Sequence, residues 1–87
     1  SLVDPFKLGQ CNIAFVTIKL EKQREDLLAH FERKMLEQPE VLMCYFVSGE
    51  IDYFLQVQVK DLNHFNSFAR RVFTSEANIL TFKSSFC

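Results

Sequence analysis

The chain has no tryptophan, only two glycines and two prolines, and only three cysteines in 87 residues. Breakers this sparse mark position. Pro5 and Gly9 fall in the first ten residues, whereas Pro39 and Gly49 flank an apolar stretch in the middle. Cys11, Cys44 and Cys87 are odd in number, widely spaced and never form a C-x-x-C pair, which excludes the patterns of a disulfide framework or a zinc site. They are expected to be reduced thiols of a cytoplasmic protein. The chain also lacks a basic stripe interleaved with aromatics. With 10 Lys+Arg against 11 Asp+Glu and a net charge of −1, this segment alone is a poor nucleic-acid binder. No run of about 18 apolar residues is available to span a bilayer, and no apolar leader opens the chain, so a soluble intracellular protein is expected. His30 and His64 lie far apart without carboxylates at metal-ligand spacing; neither a metal site nor a cofactor is expected.

What the chain does have is apolar mass. Hydrophobic residues make up 48% of the chain, ten of them phenylalanine, which suits one small globular domain. A domain of this size buries only roughly 60% of its unfolded surface. Ten phenylalanines are many for such a core, the first indication that another subunit covers part of the apolar surface.

Residues 1–10, with Asp4-Pro5 and Gly9, read as a linker arm, and residues 11–87 as the domain proper. Asn12 to Leu20 alternates as a strand, with Ala14, Val16, Ile18 and Leu20 on one face. From about Lys22 to Gln38 the period becomes helical through Leu28, Phe31 and Met35. Pro39 stops this helix by disfavouring helical geometry in the residue before it, while no Ser, Thr, Asp or Asn stands ready as its N-cap. Val41 to Val47 is apolar on both faces and reads as a central strand covered on both sides. Tyr53 to Lys60 alternates and reads as half-buried. Asp61 is a good N-cap for a second helix carrying the stripe Phe65, Phe68, Ala69, Val72 and Phe73, read as core. Ile79 to Cys87 is the last strand.

The order strand, helix, strand, strand, helix, strand, with right-handed crossovers, predicts a ferredoxin-like α+β fold: a four-stranded antiparallel sheet with two helices on one face. The bare face is expected to pack against the same face of a second copy in an isologous dimer, as in dimeric α/β barrels.

At Val41, Cys44-Tyr45, Val47, Gly49-Glu50, Asp52-Tyr53 and Asp61 the sequence resembles the C-terminal effector-binding (RAM) domain of the Lrp/AsnC, or feast/famine, transcriptional regulators. That family's hairpin reads approximately V-x-x-C-y-x-v-[TS]-G-x-x-D-[YF], and the arm LVDPFKLG is similar to the family's linker. The resemblance covers essentially the whole chain. It implies a homodimer formed by sheet-to-sheet packing and assembled further into tetramers or octamers. It also implies a small effector, commonly an amino acid, bound near the glycine-containing turn at a subunit contact. DNA would be met only through an attached helix-turn-helix domain, which this sequence does not contain. The family's last strand usually runs on past the position of Cys87.

The effector-contacting candidates are Ser48, Gly49, Glu50, Asp52, Tyr53 and Ser84. Backbone N–H groups around Ser48, Gly49 and Glu50 suit a ligand carboxylate because glycine lets the main chain approach closely. Asp52 and Glu50 suit its ammonium, and Tyr53 and Tyr45 suit the rim of the pocket. Ser84 matches the place where the family often has a serine or threonine facing the effector. A purely structural account stands beside this one: Gly49 supplies a positive φ, Asp52 caps the turn, and the strand tyrosines pack. Two other functions stay open. The first is a small dimeric α+β barrel enzyme of the monooxygenase kind, which needs His30 or His64 inside a cavity. The second is a dimerisation module without a ligand.

Overall fold

The structure, a computed structural model, describes residues 12–87. The linker arm at residues 1–10 and Cys11 lie outside the described residues. The elements run β1 (Ile13–Leu20), α1 (Glu25–Leu36), β2 (Val41–Phe46), β3 (Tyr53–Gln58), α2 (Leu62–Val72) and β4 (Ile79–Phe86). They form one antiparallel sheet in the order β2-β3-β1-β4, the ferredoxin-like arrangement.

Alternation in β1 decides the layers. Ala14, Val16, Ile18 and Leu20 are all fully buried, and opposite them on β3 lie Val57, Leu55 and Tyr53, equally buried. Phe31 and Met35 of α1 and Phe65, Phe68 and Val72 of α2 close over this face in a single core. α1 lies over the β2–β3 side, with the Phe31 and Tyr53 ring centroids 4.7 Å apart. α2 lies over the β4 side, where Phe65 meets Phe86 at 5.2 Å and Phe73 meets Phe82 at 4.8 Å. The alternate residues Phe15, Thr17 and Lys19 of β1 and Phe54 and Gln56 of β3 occupy the other, open face, where Phe15 stacks on Phe54 at 5.8 Å.

The caps follow local chemistry. Asp61 accepts from the His64 N–H at 2.7 Å and so holds the first turn of α2. α1 begins at Glu25, later than its periodicity suggests, behind Arg24, whose side chain makes no capping bond. Glu25 and Asp26 in its first turn and Arg33 and Lys34 in its last complement the helix dipole.

Two expectations are corrected. β2 is an edge strand, not a central one: among the described residues it pairs only with β3. Its apolar residues Leu42, Met43, Tyr45 and Phe46 are exposed. Apolarity on both faces of a strand reports that both faces suit being covered. It does not say that neighbouring strands lie on both edges. The expectation of three reduced cysteines also fails, because Cys87 is disulfide-bonded while Cys44 keeps a free thiol.

Candidate functional site

Val47 to Asp52 carries the chain from β2 into β3. The Val47 N–H donates to the Asp52 carbonyl at 2.9 Å and closes the turn. Inside it Gly49 adopts φ +113°, a conformation that side chains of L-residues rarely take, with open space where a Cβ would stand. Ser48, Gly49 and Glu50 are exposed. Among the described residues, no hydrogen bond engages the N–H groups of Ser48, Gly49, Glu50 or Ile51. The turn therefore presents consecutive unbonded main-chain donors, the kind of surface that receives a carboxylate.

Asp52 has a different position. It is buried, and its Oδ2 accepts from the Leu20 N–H at 2.7 Å and from Gln23 Nε2 at 3.3 Å, with Lys19 Nζ 3.8 Å away. Its own N–H donates to the Ile18 carbonyl at 2.8 Å. Asp52 thus ties the turn to the end of β1, a bond across 32 residues of sequence rather than a local cap. Tyr53 points into the core: its ring contacts Phe31, and its hydroxyl donates to the Glu32 carboxylate and approaches the Leu28 carbonyl. Burial pushes the Tyr53 hydroxyl pKa well up, and the Glu32 carboxylate pushes it in the same direction. Cys44, opposite Leu55 on the same face, is raised to about 11 by burial and then by the charge of Glu32. Ser84 pairs with Val16 on the helix side of the sheet, exposed at the edge strand.

The turn nevertheless borders a hollow on the open face. Thr17 and Lys19 of β1, Thr81 and Lys83 of β4, and Glu50 and Ile51 of the turn enclose about 160 Å³. Thr17 pairs with Lys83 and Lys19 with Thr81, so period two puts all four side chains on one face. The structure thus brings Glu50 together with residues the sequence did not single out. It leaves Asp52 beneath them as a tie, Tyr53 in the core, and Ser84 one residue out of phase with Lys83. Period-two reading of β4 gives its faces, but only the β1–β4 register says which face lies beside the turn.

Elsewhere, a cavity of about 420 Å³ at the opposite end of the sheet is lined by Asn12, Glu40, Gln58, Lys60 and His64, among others. Its carboxylate is engaged through one oxygen only: among the described residues Glu40 Oε1 is buried without a hydrogen-bond partner, while Oε2 is paired. Glu40 takes Arg71 at 2.8 Å and faces His64 Nε2 at 3.5 Å, and His64 Nδ1 accepts from the Lys60 N–H. His30, more than half exposed, faces Glu76 at 3.4 Å. Neither imidazole stands in a closed apolar cavity. Among the described residues no helix is long and apolar enough to cross a membrane.

A family model described as the Lrp/AsnC ligand binding domain matches residues 13–87. The Bkd operon transcriptional regulator of Pseudomonas aeruginosa is 36% identical over 84 residues, covering 97% of this chain and 55% of its own length. The crystal structure of an AsnC family transcriptional regulator from Agrobacterium tumefaciens matches with a TM-score of 0.81 and 31% identity, over 100% of this chain and 56% of that one. A transcriptional regulator from Neisseria meningitidis, solved as a complex with L-Met, matches with a TM-score of 0.78 and 30% identity, over 100% of this chain and 56% of that one. The chain spans about half the length of the curated relatives it matches.

Proposed function

The chain belongs to the Lrp/AsnC ligand-binding domain family, and on that premise we propose that it is the effector-sensing and oligomerising part of a cytoplasmic transcriptional regulator, binding a small amino acid beside the turn 48–52. The observation that carries this reading is the pairing of unbonded N–H groups at Ser48, Gly49 and Glu50 with the hollow that Glu50 and Ile51 border on the open face. A free amino acid needs donors for its carboxylate and an acceptor for its ammonium. The turn offers the first, and the Glu50 carboxylate offers the second. The L-Met complex of the Neisseria relative agrees with a ligand of this class.

The partly buried Phe15–Phe54 stack suits the open face to meeting a second copy. Such packing would enclose the hollow, so ligand affinity and assembly are coupled. DNA is met through a helix-turn-helix elsewhere in the regulator, and the spacing of those domains is what the ligand alters.

A thermal-shift screen of the proteinogenic amino acids, run at concentrations where the protein is oligomeric, tests the reading. A true effector at 100-fold excess over its Kd stabilises by about 2.7 kcal/mol. The absence of any stabilising amino acid rejects it.

A second reading, a dimerisation module with no effector, draws support from the Asp52 carboxylate being engaged by Leu20, Gln23 and Lys19. Sedimentation showing dimers together with a silent screen selects this second reading.

A further inference from the structure

We infer that the hollow beside the turn is built for an acidic amino acid, with Lys83 receiving the carboxylate of the ligand's side chain. This inference rests on the proposed amino-acid sensing and names the class of amino acid sensed.

The charges decide it. Lys19 and Lys83 stand diagonally on adjacent strands of the open face, each facing a threonine across the ladder. Lys19 is partly neutralised, because the buried Asp52 carboxylate lies 3.8 Å from its ammonium. Lys83 pairs with no carboxylate among the described residues. Around the same hollow, Glu50 and Ile51 of the turn carry unbonded N–H groups, and the exposed Glu50 supplies one carboxylate. The walls therefore hold two separate places that attract an anion, Lys83 with its flanking Thr17 and Thr81, and the turn. They hold one place that attracts a cation, Glu50.

A neutral amino acid carries one carboxylate and one ammonium and leaves one anion-seeking place unmatched. An acidic amino acid carries two carboxylates and one ammonium and matches all three. The mismatch grows when a second copy covers the open face, because an ammonium taken out of water without a counter-charge is strongly disfavoured. A hollow of about 160 Å³ is well below the ~300–1,000 Å³ typical of drug-sized ligands, so its size suits one free amino acid and the choice among amino acids of that size rests on charge.

Calorimetric titration of the whole chain with L-aspartate, L-glutamate, L-asparagine and L-glutamine tests the assignment, because each acid differs from its amide by the charge of one group. The tighter acid is expected to bind at least about tenfold more strongly than its amide, a difference of about 1.4 kcal/mol. In Lys83→Met the acid-to-amide ratio falls to about one, whereas Lys83→Arg keeps it. Lys83 is exposed, and an unchanged circular dichroism spectrum establishes that both variants fold. Amides binding as tightly as acids, or a ratio untouched in Lys83→Met, overturns the assignment and leaves amino-acid sensing standing. If none of the proteinogenic amino acids binds the wild-type chain, both fall.

Discussion

Gly49 and Asp52 are three residues apart and contribute to the turn in different ways. Gly49 holds φ +113° with nothing near its missing Cβ, so Gly49→Ala incurs backbone strain and no clash. The expected loss is about 1–3 kcal/mol, read as a lower urea midpoint with an unchanged denaturant slope. Asp52→Ala removes the acceptor of the buried Leu20 N–H and should cost about 1–3 kcal/mol, visible also as faster hydrogen exchange at the Leu20 amide. Its loss of stability would confound any binding assay, so Glu50→Gln is the cleaner probe of ligand contact. Cys44 gives a pH prediction. Burial lifts its pKa from 9.0 to about 11, so the folded state favours the neutral thiol. That contribution to stability is complete below pH 9 and is lost as the pH rises from about 9 to 11. Iodoacetamide labelling at Cys44, followed by peptide mapping, should therefore show a pH midpoint near 11 in the folded protein and near 9 in urea.

At the scale of elements, α2 owes its start to one side chain and its position to its phenylalanines. Asp61→Ala leaves the His64 N–H without its capping acceptor and is expected to cost about 1 kcal/mol. Phe68→Ala empties a fully buried site and should cost about 3–5 kcal/mol, with thermal unfolding as the measurement for both. These elements were readable in the sequence because their information is local: Asp61 precedes a 3.6-residue stripe, and Pro39 ends the helix before it. The position of β2 was not readable. Its two apolar faces are a local property, whereas its place at the edge is fixed by β1 inserting between β3 and β4.

For the whole molecule, the proposed assembly and the proposed sensing draw on one face of the sheet. Phe54→Asp puts a charge into the Phe15–Phe54 stack on the open face, away from the helix-covered core. The expected outcome is a monomer by sedimentation velocity with a retained far-UV spectrum and no amino-acid-dependent thermal shift. A variant that remains dimeric would place the contact elsewhere, with the exposed edge of β2 at Tyr45 and Phe46 as the next surface to change.

The sequence by itself determined the element order, the two-helix, four-strand topology, the core stripes and the turn at Gly49, because periodicity, caps and breakers act over a few residues. It also determined the family, because the hairpin pattern is contiguous. Tertiary structure alone decided which strand is at the edge, that Asp52 binds Leu20 from 32 residues away, that Tyr53 faces the core, and that Lys19 and Lys83 share a hollow with Glu50. Each of these depends on the register between strands distant in the chain, and register is set by how the whole apolar face is buried.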